Sequence, residues 1–271
     1  MTRIALTGHK GNIGSCMLSI GYDFLDCDVT KPKEIDSEIE RLSPDVIVHL
    51  AGKSGVNWCE KKENQEDAIQ INFRGASNLF ASALAHNAKV VYISSDHIFG
   101  GMGFGNYSET DKPNPKNYYG TLKLGVEALT KIYPNVNVVR TSTLFWKNRP
   151  LISDYLNDIR EGKDVYPPQF IWRSFMHVDH LVSQLTAYCQ TIDNMPRVLN
   201  LSGSKVVSWY RFVKDYVKMS NLDVSKVHPR YMEDRYAGCA PRPSRSGLDT
   251  RLSKSLGFAQ YSYLDGIQIG L

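Results

Sequence analysis

A four-residue run, Ile4-Ala5-Leu6-Thr7, stops at Gly8. Two more glycines follow at Gly11 and Gly14, and the apolar positions Ile13, Met17, Leu18 and Ile20 then fall into helical spacing. Strand, tight glycine loop and helix in immediate succession is the opening of a parallel α/β sheet, in which each helix must pack back onto the strand before it. The loop also has chemical meaning. The first turn of a helix carries unpaired N–H groups and the positive end of its dipole, and glycines let a pyrophosphate approach the backbone closely. The spacing here is GxxGxxG rather than GxGxxG. The strand-loop-helix setting therefore carries the reading, more than the glycine count does.

The alternation continues down the chain. A short run at Phe24-Leu25-Asp26-Cys27 is followed by a helix candidate from Pro32 to Leu42 and the uninterrupted Val46-Ile47-Val48-His49-Leu50-Ala51, which reads as a buried parallel strand. Residues 64–87 predict a long helix, Val90 to Ser94 a strand, Asn117 to Ile132 a helix ending before Pro134, and Val136 to Arg140 another strand. The fold class expected is α/β, a doubly wound parallel sheet of the NAD(P)-binding Rossmann type with a smaller C-terminal substrate lobe. The expected division is 1–145 for the nucleotide-binding domain and 146–271 for the lobe, with Val198-Leu199-Asn200-Leu201 a candidate to return to the main sheet. The long glycine- and proline-bearing stretch from Gly100 to Asn117 exceeds a simple connection and marks a functional loop.

Composition excludes several classes. With 271 residues, 42% hydrophobic, 22% charged and a net charge of +4 without a long basic run, the chain has the make-up of a globular protein and lacks the footprint of a nucleic-acid or membrane-surface binder. Five scattered cysteines with no CxxC pair suggest neither a disulfide framework nor a zinc site, which fits a cytoplasmic protein. No apolar run approaches the roughly 18 residues of a membrane span.

Two further constellations carry chemistry. Tyr119 and Lys123 stand four residues apart on one predicted helix, about 40° apart around its axis, whereas Tyr118 lies about 140° from Lys123. An ammonium beside a phenol favours ionisation, so Lys123 is expected to pull the Tyr119 pKa down toward working pH, as suits a tyrosine acid or base. Ser94-Ser95-Asp96 ends a buried strand at the sheet edge where α/β proteins bind ligands, and a hydroxyl there can bond a carbonyl oxygen.

In this order, Thr7 to Gly14, "LDCDVT" (Leu25 to Thr30), "PDVIVHLAG" (Pro44 to Gly52), "CE" (Cys59-Glu60), "IN" (Ile71-Asn72), "ISSDHIFGG" (Ile93 to Gly101), "YSETDKPNPKNYYGTLKLGVEAL" (Tyr107 to Leu129) and "APRPSRSGLDTRLSKSLGF" (Ala240 to Phe258) run over nearly the whole chain. The series resembles the extended short-chain dehydrogenase/reductase superfamily, and within it the dTDP-4-dehydrorhamnose reductase-like family. That resemblance implies NAD(P)H-dependent reduction of the 4-keto group of a nucleotide-activated 4-keto-6-deoxy sugar. It implies Tyr119 as proton donor, Lys123 on the nicotinamide ribose and Ser95 on the carbonyl. Gly8, Lys10, Gly11, Asn12, Ile13 and Gly14 are implied around the pyrophosphate end of the cofactor, Asp28 and Val29 beside adenine, and Ala51 and Gly52 against the cofactor after the third strand. Asp96, His97 and Arg242 are implied on the substrate side with Ser95 and Tyr119, Arg242 near a phosphate. The expected partner is the nucleotide-sugar substrate, with no nucleic acid and no membrane, and a homodimer is kept open.

The chain also departs from the family's pattern. The segment between the first helix and "LDCDVT" is short, and with His9 and Lys10 in the glycine loop the cofactor expected is NADP(H), NAD(H) being open through Asp23 or Asp26. His97 stands where many relatives carry tyrosine, and the tryptophan after "RTS" is displaced to Trp146. Ser15, Cys16 and Met17 replace the acidic residues credited with metal binding in some relatives, so no metal is expected. Tyr107, Trp146, Arg149, Trp172, Arg173 and Tyr236 are candidate pocket walls. The alternatives are a non-catalytic NADP-binding subunit resembling the methionine adenosyltransferase beta subunit, and an epimerase or dehydratase of the same superfamily. An epimerase is kept open by His177 and His180; a dehydratase lacks its glutamate after Asp96.

Overall fold

The computed structural model describes residues 2–103, 105–147, 149–231 and 239–271; Tyr236 and Phe104 of the glycine-rich loop lie outside the described residues. In chain order the elements are β1 (Ile4–Thr7), α1 (Asn12–Ser19), β2 (Asp23–Phe24), α2 (Pro32–Leu42), β3 (Val46–His49), α3 (Val56–Glu60), α4 (Gln65–Ala68) and α5 (Gly75–Ala85). Then come β4 (Lys89–Ser95), α6 (Tyr118–Leu129), β5 (Val136–Thr141), β6 (Leu144–Phe145), α7 (Pro150–Arg160), β7 (Trp172–Ser174), β8 (Met176–His177) and α8 (Val178–Gln190). The last are β9 (Val198–Asn200), β10 (Val206–Ser208), α9 (Trp209–Met219), α10 (Arg251–Ser255) and α11 (Tyr263–Gly270).

Six strands form one sheet in the order β2-β1-β3-β4-β5-β9, every neighbouring pair parallel. The order reverses at β1, so the crevice for a ligand opens beyond the C-terminal ends of β1 and β3. The strands are apolar because both faces are covered: Val46, Ile47, Val48, Val90 and Val91 are almost wholly buried. One face packs with α1 and α8 through Leu6, Met17, Val48 and Leu185, the other with α2 and α5 through Ile35, Ile47, Leu79 and Phe80. Each such side chain contributes roughly 1.5–3 kcal/mol of burial.

β2 is shorter than the apolar run at Phe24–Cys27 suggests: it pairs only through Asp23 and Phe24 and turns directly into the Leu25–Thr30 segment. The long helix expected over 64–87 is a composite. It passes from α4 through a π-helical turn, Ile69–Arg74, into α5, and such turns mark places where a side chain is re-aimed. Here the side chain is Asn72, which accepts from Lys53 N (2.7 Å) and donates to Lys53 O (3.1 Å), pinning the segment after β3.

β9 does return to the main sheet, on the far edge beside β5. The rest of the second half builds its own core from α7, α9 and α11 around Phe145, Phe175 and Phe212, with the minor pairs β7–β10 and β6–β8 carrying it over the crevice.

Candidate active site

α1 starts with Gly11 at its N-cap and no side chain capping it, so its first N–H groups are left for a ligand. A Cβ at Gly14 would stand 2.4 Å from Gly8 O, so glycine there is what allows the loop to fold tightly over the helix start. The cleft above it, about 370 Å³, is lined by Gly8, Gly11, Asn12, Ile13, Gly14 and Gly52 on one side and by Ser95, Asp96, His97, Tyr119 and Lys123 on the other. These donors and this backbone cradle fit the pyrophosphate and nicotinamide half of a dinucleotide. In the segment expected beside adenine Val29 is buried, while Asp28 is exposed and closes a turn by accepting from Thr30 N and Oγ1. His9 packs its ring on Phe24 (4.1 Å between centroids), and Lys10 and Asp26 are exposed nearby in the chain fold.

Asn117 caps α6 by accepting from Gly120 N (2.8 Å), which fixes where the helix begins and hence where Tyr119 and Lys123 point. A buried ion pair holds the other end: Arg140 of β5 donates to both carboxylate oxygens of Glu127 (3.0 and 2.7 Å). The Tyr119 hydroxyl faces Ser95, at the end of β4, closely enough for the serine to favour its ionised form. Lys123 Nζ donates to Ile93 O (2.8 Å) and lies 4.7 Å from the Tyr92 ring centroid and 5.9 Å from that of Tyr119.

The electrostatics correct one expectation. Tyr119 is held well above the ordinary phenol range, burial being the main cause, with the Ser95 hydrogen bond opposing it. Lys123 is itself pushed down to about 8 by burial. Desolvation of both groups outweighs their mutual attraction, and Tyr119 is thereby kept protonated at neutral pH.

Asp96, expected on the substrate side, lines the cleft with its carboxylate engaged by the protein's own side chains. Its carboxylate accepts from Ser142 (3.0 Å), Ser246 (2.7 Å) and Ser95 (3.2 Å) and faces Arg173 Nε at 3.4 Å, both charged side chains being 3% exposed. It fastens the end of β4 to the C-terminal segment. Of the candidate walls, Tyr107 stacks on Phe99, Trp172 carries Arg245, and Arg173 is occupied at Asp96. His177 and His180 sit at the start of α8, His180 stacked on Tyr261, and are not brought to the cleft.

A second cavity of about 450 Å³ adjoins the first, and Ser54, Val56, His97, Thr143 and Arg149 line both. It holds Arg149, Arg173, Arg230 and Arg242 beside Tyr155 and Trp209. Arg149 lies between Trp146 (5.5 Å) and Trp209 (5.6 Å); burial pushes it down to about 10, and no carboxylate pairs with it among the described residues. Arg230 Nε is buried without a hydrogen-bond partner. Arg242 reaches Asn57 Oδ1 (3.0 Å) and Ala240 O (3.2 Å). Four guanidinium groups, Arg149, Arg173, Arg230 and Arg242, therefore line one cavity, Arg173 being paired there with Asp96. Sequence reasoning had no signal for Trp209, Tyr155 or Arg230, which reach the cavity from distant parts of the C-terminal half.

Residues 2–268 match the RmlD substrate binding domain family. The chain belongs to that family. It is 30% identical over 288 residues to a dTDP-4-dehydrorhamnose reductase of Aggregatibacter actinomycetemcomitans, covering 95% of this chain and 94% of that protein. It is also 30% identical to the methionine adenosyltransferase 2 subunit beta of Danio rerio, covering 95% and 85%. Among solved structures, the dTDP-4-dehydrorhamnose reductase of Bacillus anthracis in complex with NADP superposes with a TM-score of 0.88 at 25% identity, over 99% of this chain and 96% of that one.

Proposed function

We propose that the protein is an oxidoreductase that reduces the 4-keto group of a dTDP-linked 4-keto-6-deoxy sugar, with NADP(H) as the favoured cofactor and NAD(H) also admitted, acting in the cytoplasm. The observation that carries the reading is the hydroxyl pair Tyr119–Ser95 in the glycine-loop cleft, which His97 and Arg149 share with the adjoining arginine-lined cavity. A ketone placed there meets both hydroxyls, with the nucleotide's phosphates toward Arg149, Arg230 and Arg242.

A nicotinamide cofactor held along Gly8, Gly11, Gly14 and Lys123 would supply the hydride when bound. Ser95 polarises the carbonyl by turning its hydroxyl proton from Asp96 to the carbonyl oxygen. Tyr119, protonated because it is buried, delivers its proton to that oxygen as negative charge builds there. Lys123, 5.9 Å from the Tyr119 ring centroid, contributes a positive charge toward the phenolate that remains, and would hold the cofactor ribose. Asn117 and Glu127 keep the helix bearing both residues in place.

The test is nicotinamide absorbance on mixing protein, NADPH or NADH, and dTDP- or GDP-linked 4-keto-6-deoxy sugars. Oxidation that falls about 100- to 10,000-fold in Tyr119→Phe, with cofactor affinity within about twofold, is expected for loss of the proton donor. Cofactor binding with no turnover in the parent protein overturns the reductase reading in favour of a non-catalytic subunit.

A further inference from the structure

We propose that His97 reads the substrate sugar, Asn117 locking its ring in the tautomer with the proton on Nε2 so that this N–H donates to the hydroxyl on the carbon next to the reacting carbonyl. The proposal rests on the reductase reading for the identity of the substrate and on hydrogen-bond geometry for the tautomer.

The Asn117 amide is oriented by two partners that leave no choice. Its oxygen accepts from Gly120 N (2.8 Å), and its nitrogen donates to Pro241 O (2.8 Å). The remaining N–H of that same NH₂ group points at His97 Nδ1, 3.0 Å away. An amide NH₂ only donates, so Nδ1 must accept, and in a neutral imidazole the proton is then on Nε2. The ring is neutral at physiological pH: burial pushes it down to about 4, Arg173 and Arg242 adding to the effect and Asp96 opposing it. A proton added at Nδ1 would face the Asn117 N–H.

Position selects the target. His97 is held by its own backbone N–H, which donates to Ser95 Oγ (3.2 Å), and its ring meets Tyr119 edge-on with centroids 5.7 Å apart. It lines both cavities, and no described residue accepts from Nε2. The free N–H therefore faces the space where the two cavities meet, with the ring set against that of Tyr119. The acceptor within reach is the sugar hydroxyl one carbon from the ketone, C3 of a 4-keto sugar. A neutral donor in a buried site favours a substrate with that hydroxyl over one without it.

Two measurements test this. In protein labelled with ¹⁵N-histidine and free of ligands, the His97 resonances at neutral pH are expected to show Nε2 protonated and Nδ1 bare. Asn117→Asp still caps α6 but has no amide proton to give, and is expected to move the proton to Nδ1. A wild-type ring with its proton on Nδ1 overturns the lock. In turnover with NADPH, the dTDP-linked 4-keto-6-deoxy sugar is expected to exceed its 3-deoxy counterpart about 10- to 100-fold in kcat/KM. His97→Leu should bring that ratio within about threefold, and His97→Gln, which keeps an N–H near the same place, should restore most of it. Equal ratios in the wild type and His97→Leu overturn the substrate assignment. A wild-type protein that turns over neither sugar refutes the reductase reading and the substrate assignment together, while the tautomer lock is decided by the resonances alone.

Discussion

Adding one methyl group at Gly120 puts a number on how closely the tyrosine helix must approach the β4 loop. A Cβ built there stands 2.2 Å from His97 O, where ordinary contact begins near 3.4 Å, so α6 or the His97 loop must yield by about 1.2 Å. The obstruction is backbone rather than a flexible side chain, and Pro115 closes the neighbouring space at 3.1 Å. Overpacking of this kind costs about 1–3 kcal/mol, and Gly120→Ala should lower Tm by roughly 2–4 °C for each kcal/mol. Catalysis should suffer more, because Tyr119 precedes Gly120 and a 1 Å misplacement of a reacting group costs about 100-fold. The assay is ketosugar-dependent NADPH oxidation alongside calorimetry and NADPH binding. Gly125→Ala in the same helix is the control: its Cβ meets only the Phe73 ring, at 3.3 Å, and that ring can move. The control should be near neutral. A Gly120→Ala protein within threefold of wild-type kcat would refute the argument that the close approach sets the position of Tyr119.

Glu127→Ala removes the partner of a buried guanidinium and should destabilise the protein by about 3–5 kcal/mol, measured by urea unfolding; a change under 1 kcal/mol would mean that Arg140 finds another anion or water. Because burial pushes Lys123 down to about 8, its ammonium is present below that pH and lost above it. The kcat/KM for ketosugar should therefore be level at neutral pH and decline as pH rises through about 8, and Lys123→Arg should abolish that decline even as it alters the plateau. Lys10→Ala should weaken NADPH more than NADH, by about three- to tenfold at low salt and less at high salt, as expected of an exposed cation. Equal losses for the two cofactors would place the adenosine 2′-phosphate elsewhere.

Local patterns made the nucleotide-binding half legible. The glycine loop, the buried strands and the Tyr119–Lys123 pair lie within stretches whose periodicity or spacing shows their structure directly. What stayed hidden depends on contacts between distant residues. Asp96 stands next to Ser95 in the chain, yet its role is set by Ser142, Ser246 and Arg173, far along in sequence. Trp209 and Arg230 reach the arginine-lined cavity only because α9 and the following segment fold back over the crevice. The expected fall in the Tyr119 pKa failed for a related reason: spacing along a helix shows that a lysine is near, but not how little water surrounds the pair.

The sixth strand, β9, has a consequence for how the molecule is made. The sheet that forms the cofactor cleft has β5 at an unpaired edge until Val198–Asn200 arrives, and α8, which covers Leu6 and Met17, ends only at Gln190. A nascent chain that has emerged as far as β5 therefore holds the glycine loop and the Tyr119 helix but has a raw strand edge and one sheet face covered by α1 without α8. Ribosome-bound chains halted near residue 145 should be protease-sensitive and prone to pairing with one another, and protection should arrive in one step once about 200 residues have left the tunnel.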